Sequence, residues 1–291
     1  MAFNWKTFRT RTLTGAIFVA AMLTGLLINR WTFFGLVSII NLGCWWEYLR
    51  LVEKTYHTRI DKINKAVLIV AGYALFLLFC FPISAMDFGI YFGSIYLSAT
   101  WGFYSIITVF LGAFLFQNKK LYADARWNAV FGLVYISLPL GLLVSLKMPY
   151  ADTIFGTDPD PTRVIPLVLF ISLWINDTMA YLAGSLIGKT KLSKISPKKT
   201  WEGTIGGIIL SAIVMIFIGK SLSIDRTDSI CISLVSSIAG TFGDLFESRL
   251  KRRARVKDSG KILPGHGGFL DRFDSLLFAV PFVWLYEFFF M

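Results

Sequence analysis

Ser248-Arg-Leu-Lys-Arg-Arg-Ala-Arg-Val-Lys-Asp-Ser-Gly-Lys-Ile-Leu-Pro-Gly-His-Gly-Gly-Phe-Leu-Asp-Arg-Phe-Asp274 is the stretch on which the reading of this chain turns. Seven basic residues lie between Arg249 and Lys261, and apolar segments of membrane-span length flank the stretch on both sides. Asp258, a Pro264-Gly-His-Gly-Gly268 turn and the pair Asp271 and Asp274 follow within it. Such a loop is costly beside a bilayer, and ionisable groups at that depth point to function by default. Cations, closely spaced backbone N–H groups and carboxylates able to hold a metal together suit a polyphosphate.

The rest of the chain sets the solvent around that loop. Of its 291 residues 55% are hydrophobic and 16% charged, and the mean hydropathy is +0.63. That is more apolar than an ordinary soluble domain. The expected fold is all-α, a polytopic integral membrane protein. A net charge of +11 would suggest nucleic acid in a soluble protein, but Lys and Arg collect in the cytoplasmic loops of membrane proteins whatever those proteins bind. No nucleic-acid partner is expected. Cys44, Cys80 and Cys231 lie in apolar segments without metal-ligand spacing and read as small buried hydrophobes. Lys6, Arg9 and Arg11 before the first apolar run resemble a signal peptide, but a second run starts after Asn29-Arg30, which favours a retained helical hairpin.

A spanning helix needs about 20 apolar residues. Nine candidate spans emerge, over 13–29, 31–47, 65–83, 89–116, 127–146, 164–187, 203–219, 228–248 and 268–289. With nine spans, 23 of the 29 Lys and Arg fall on one set of flanks and five on the other. That asymmetry predicts a cytoplasmic N-terminus and an external C-terminus. The chain reads as a single membrane domain, with scaffold helices over 1–148 and site-bearing helices and cytoplasmic loops over 164–291.

Asp177 sits inside the sixth span, on the face that also carries Ala180, Tyr181, Gly184 and Gly188. The small residues suit close helix packing; the carboxylate needs a partner, a cation or water. Ser196-Pro-Lys-Lys-Thr200 is placed to cap the next helix and to bring Lys198 and Lys199 to a phosphate. Asp244, Glu247, Ser248 and Lys251 share one helix face, where Glu247 and Lys251 read as an ordinary i,i+4 pair. Asp271 and Asp274 are one turn apart and repel unless something cationic sits between them; Mg²⁺ takes one or two protein carboxylates plus phosphates and water. A lone His266 reads as a hydrogen-bonding loop residue.

These residues resemble the phosphatidate cytidylyltransferase (CDP-diacylglycerol synthase) family. Its C-terminal signature is met by Ser248, Lys251-Arg252, Lys257-Asp258, Gly260, Pro264, His266-Gly267-Gly268, Asp271-Arg272 and Asp274 with no departure. The block from Asp177 to Glu202 is also similar to the family, whereas the N-terminal part matches loosely, through Arg11, Thr14-Gly15 and Glu47. The resemblance implies a reaction at the cytoplasmic face of the cell inner membrane: CTP and phosphatidic acid give CDP-diacylglycerol and pyrophosphate. It implies Mg²⁺, leaves room for a second, monovalent cation, and suggests a homodimer. Catalytic roles then fall on Asp244, Asp271, Lys251 and Asp258. Substrate contacts fall on Lys198, Lys199, Ser196, Arg252, Lys257, His266, Gly267, Arg272 and Asp177, and metal ligation on Asp244, Asp271 and Asp274. Two other readings stay open on the residues alone: a CTP-dependent kinase of a membrane alcohol, and a transporter of an anionic solute.

Overall fold

The computed structural model describes residues 5–80, 89–92, 95–98, 105, 107, 109, 111–112, 123–147, 164–260, 262 and 267–291. They are almost entirely helical: α1 (Trp5–Leu27), α2 (Arg30–Tyr56), α3 (Lys62–Cys80), α4 (Ala123–Lys147), α5 (Ile165–Ile187), α6 (Trp201–Ser221), α7 (Arg226–Arg253) and α8 (Leu270–Phe290). Six of these, α3 to α8, are long and apolar enough to cross a membrane. The protein is a multi-pass membrane protein.

These six correspond to the third and the fifth to ninth of the nine expected spans. The first two apolar runs are helical, but the apolar part of α1 is only Leu13–Leu27, and α2 runs on through Glu47, Arg50, Glu53 and Lys54, which dilutes its apolar character. The fourth expected span does not begin as a helix. Gly89–Phe92 (β1) pairs antiparallel with Ile95–Ser98 (β2), Gly89 opposite Ser98 and Phe92 opposite Ile95. The aromatic and β-branched residues there, read by apolarity alone as a span, also favour strands. The long connection over 149–163 lies outside the described residues.

By internal contacts the chain forms two compact units, Met1–Ser145 with Arg253–Arg272, and Leu146–Arg252 with Phe273–Met291. In the first, α1 and α2 form the hairpin that Asn29-Arg30 suggested. Asn29 caps α2: Thr32 N–H donates to its Oδ1 (2.9 Å), while Asn29 N–H donates to Thr32 Oγ1 (3.1 Å). The reciprocal pair satisfies two donors that a helix start leaves open. At the other end His57 adopts a left-handed conformation (φ 50°), and Glu53 ties α2 to α3 through Lys65 Nζ (2.7 Å) and Ile60 N–H (2.8 Å). The core centres on Trp45, whose ring lies where a Cβ on Gly72 or Gly132 would stand. Its Nε1–H donates to Ser137 Oγ (2.8 Å), and Tyr48 Oη–H donates to the Asn128 carbonyl (2.6 Å). Ser137 belongs to a π turn, Leu133–Ser137, inside α4.

In the second unit α5 and α6 make the most extensive helix pair. The small residues expected to pack do so. A Cβ on Gly203 would come within 2.8 Å of the Ala180 carbonyl and Gly184 Cα, and one on Gly207 within 2.7 Å of Ala180 Cβ. Buried Ser211 donates to the Ser172 carbonyl (3.1 Å) and pairs with Ser233 (2.9 Å), linking α5, α6 and α7. On α8, Tyr286 Oη–H donates to Asp228 Oδ1 of α7 (2.8 Å).

Candidate active site

The second unit assembles its charged residues where α7 meets α8. Gly243 on α7 makes the approach possible: a Cβ there would run into the Asp274 carbonyl oxygen. Next to that glycine, Asp244 is brought beside Asp274, and Glu247 follows one turn on. Carboxylate oxygens of Asp244, Glu247 and Asp274 lie within 4.8 Å of one another; Glu247 and Asp274 are buried. Lys199 Nζ pairs with Asp244 and Lys251 Nζ with Glu247. Ser248 Oγ–H points to Asp244 Oδ1 (3.4 Å), and Asp177 lies within electrostatic reach of Lys199, Asp244 and Asp274.

The chemistry of this donor set fits a hard divalent cation. All three ligands are oxygen, as Mg²⁺ requires. Neighbouring buried carboxylates need compensating positive charge. The two lysines offset only half of the four acids when Asp177 is counted with the trio.

The loop between α5 and α6 is built to deliver Lys199. Thr200 caps α6, accepting from Gly203 N–H (3.1 Å). Glu202 reaches back to accept from Lys189 N–H (3.2 Å) and Thr190 N–H (3.1 Å). Lys191 and Thr200 bridge, Leu192 N–H donates to the Lys199 carbonyl (2.8 Å), and Lys199 N–H donates to the Ser196 carbonyl (3.1 Å). The folded loop turns Lys199 to Asp244 and leaves Lys198 exposed.

In the first unit, Ser259, Gly260 and residues 268–270 are fastened to α2. Phe269 lies against Gly43, where a Cβ would meet its ring. One turn on, Glu47 is fully buried, and its Oε2 accepts from Ser259 Oγ–H (2.7 Å) and Leu270 N–H (3.0 Å). Asp271 Oδ2 accepts from Ser259 N–H (2.9 Å) and Gly268 N–H (2.8 Å), and lies 3.0 Å from Ser259 Oγ. Gly267 has φ +87°, and a Cβ there would also press on Asp271, so glycine is required on both counts.

The structure thus brings Asp177, Lys199, Asp244, Ser248, Lys251 and Asp274 together in one unit, and places Asp271 and Gly267 in the other. Arg252 ends the second unit on α7; Lys257 and Asp258 are exposed in the first, as is Arg272. Ser196 is half-buried within its loop turn. His266 lies outside the described residues. Two acids were named from sequence without a place in the site. Glu247 reads as a helix-surface partner of Lys251, yet is fully buried. Glu47 gave two signals, a loose match to the family and a carboxylate inside the apolar run Cys44-Trp-Trp-Glu47.

The model of the cytidylyltransferase family matches residues 9–290. A phosphatidate cytidylyltransferase of Staphylococcus haemolyticus is 50% identical over 132 residues, covering 44% of this chain and 50% of that protein. One from Haemophilus influenzae is 35% identical over 230 residues, covering 63% and 80%. The chloroplastic phosphatidate cytidylyltransferase 5 of Arabidopsis thaliana is 37% identical over 206 residues, covering 65% and 51%. The chain spans about half the length of the staphylococcal and plant relatives it matches.

Proposed function

The chain belongs to the cytidylyltransferase family, and from that membership we propose that it transfers a cytidylyl group from CTP to phosphatidic acid, giving CDP-diacylglycerol and pyrophosphate. The observation that carries the reading is the acidic trio of Asp244, Glu247 and Asp274, flanked by Lys199 and Lys251. The names of the similar proteins supply the substrates.

Phosphatidate is anionic at neutral pH, so its phosphate oxygen attacks the α-phosphorus of CTP without a general base. Asp244, Glu247 and Asp274 would hold Mg²⁺, which when bound supplies charge stabilisation for phosphoryl oxygens; Asp271 keeps its proposed metal-binding role. Lys199 holds Asp244 in place, and Lys251 does the same for Glu247. Asp177 adds a further negative charge that sets the field felt by Lys199. Ser196, Lys198, Arg252, Lys257, His266, Gly267 and Arg272 are the proposed contacts to the substrates' phosphates through charge-assisted hydrogen bonds, and Asp258 is kept as a proposed catalytic carboxylate. The protein is proposed to lie in the cell inner membrane as a homodimer, its N-terminus cytoplasmic and its C-terminus outside.

The test is direct. Purified protein is mixed with phosphatidate vesicles, CTP labelled in the cytidine, and Mg²⁺. Labelled CDP-diacylglycerol and an equal amount of pyrophosphate are expected. Release of CDP with phosphorylation of an added lipid alcohol would move the chain to kinase chemistry.

A further inference from the structure

Glu47 is fully buried, far from the acidic trio in sequence, and no metal or substrate role falls to it in the reaction above. Its surroundings are unusual for an acid in an apolar helix. Oε2 takes the Ser259 hydroxyl and the Leu270 N–H, while Oε1 has no hydrogen-bond partner among the described residues. The carboxylate is pressed against both Gly260 and Gly268, where a Cβ would overlap it. Ser259 in turn meets Asp271 through both its N–H (2.9 Å) and its hydroxyl (3.0 Å). One hydroxyl proton therefore stands between two carboxylates, and Leu270 N–H starts the helix on whose first turn Asp271 rides. A buried acid with so few partners is expensive, and an apolar residue would fill the same helix position at lower cost.

We propose that Glu47 is a positioning residue. Its carboxylate holds Ser259 and the start of α8 so that Asp271 is presented in one orientation, which makes α2 part of the catalytic apparatus rather than scaffold alone. The kinetic consequence rests on the proposed cytidylyl transfer; the structural consequence does not. Misplacing a reacting-site carboxylate by about 1 Å lowers turnover by up to about a hundredfold, while contacts that bind substrate in the ground state change less.

The experiment uses the full chain in lipid nanodiscs, with Ile262→Cys carrying a spin label in a Cys231→Ser background. Ile262 is exposed and lies three residues beyond Ser259, and the remaining Cys44 and Cys80 are buried. Glu47→Ala is expected to mobilise the label and to lower kcat about tenfold or more, with the KM for CTP changed less and the thermal transition close to the parent's. Glu47→Gln, which keeps an acceptor oxygen, is expected to restore most of the label's order and part of kcat. Ser259→Ala is expected to mobilise the label without touching α2. A label spectrum unchanged in Glu47→Ala overturns the proposal whatever the activity does. If Glu47→Ala fails to fold, an unchanged spectrum in Ser259→Ala overturns it. If the parent protein transfers no cytidylyl group, the reaction is wrong and the label spectra alone decide the role of Glu47.

Discussion

The Lys199 ammonium on the α5–α6 loop is paired with the Asp244 carboxylate on α7. Its neighbour Lys198 is exposed. The two lysines are adjacent in sequence and differently placed, so different effects are expected of their removal. Lys199→Ala is expected to lower kcat/KM roughly 10- to 100-fold, the cost of one charge-assisted contact of ~1.5–3 kcal/mol. Because the pair is partly exposed, its stability effect should stay within about 1 kcal/mol. Lys198→Ala should raise the KM for CTP and leave kcat nearly intact. Steady-state kinetics on both variants separate the two, and equal effects would dissolve the distinction.

The acidic trio sets a second expectation. Asp244→Asn, Glu247→Gln and Asp274→Asn each keep size and an oxygen but remove a charge. Each should lower turnover about 100-fold or more, on the scale of losing one preorganised electrostatic contact. Chelation with EDTA should abolish activity in the parent, and excess Mg²⁺ should not restore the variants. Well-folded Asp244→Asn and Asp274→Asn proteins with normal turnover would remove the trio from the mechanism.

Glycine substitutions test the packing. Gly203→Ala would bring a methyl within 2.8 Å of the Ala180 carbonyl and Gly184 Cα, and should destabilise by ~1–3 kcal/mol. Among the described residues nothing lies within 4 Å of a Cβ added to Gly35 on α2, so Gly35→Ala should be neutral or gain up to about 1 kcal/mol from helix propensity. Thermal unfolding in detergent gives both values.

Topology is open to a reporter experiment. With 23 basic residues on one set of flanks and five on the other, a fusion after Met291 should report the outside and one inserted next to Lys194 the cytoplasm. Both on the same side would overturn the orientation.

What the sequence disclosed depended on the range of the interaction. The α5–α6 contact was legible because Ala180, Gly184 and Gly188 repeat at four-residue spacing, and helix geometry alone puts them on one face. Thr200 as a cap and the acidic character of Asp244 and Asp274 were legible for the same local reason. Glu247 was not, since a Glu–Lys pair at i,i+4 has the same spacing on an exposed face as in a buried cluster; only the approach of α8 at Gly243 tells them apart. Glu47 meets Ser259 from 212 residues away, and no periodicity reports such a pairing. The paired strands Gly89–Phe92 and Ile95–Ser98 were read as helix because apolarity marks a span without saying which hydrogen bonds fill it.

The π turn at Leu133–Ser137 makes the length of α4 a property of its neighbour. A π turn carries one residue more than the regular ladder would accept. Removing one residue from it would give a more regular helix with standard bonding throughout. The wider turn absorbs that residue, so α4 beyond it keeps nearly the phase of a regular helix, with Ser137 at the Trp45 indole. Local regularity is given up at that one turn and phase is kept, and the phase is what α2 reads through Trp45.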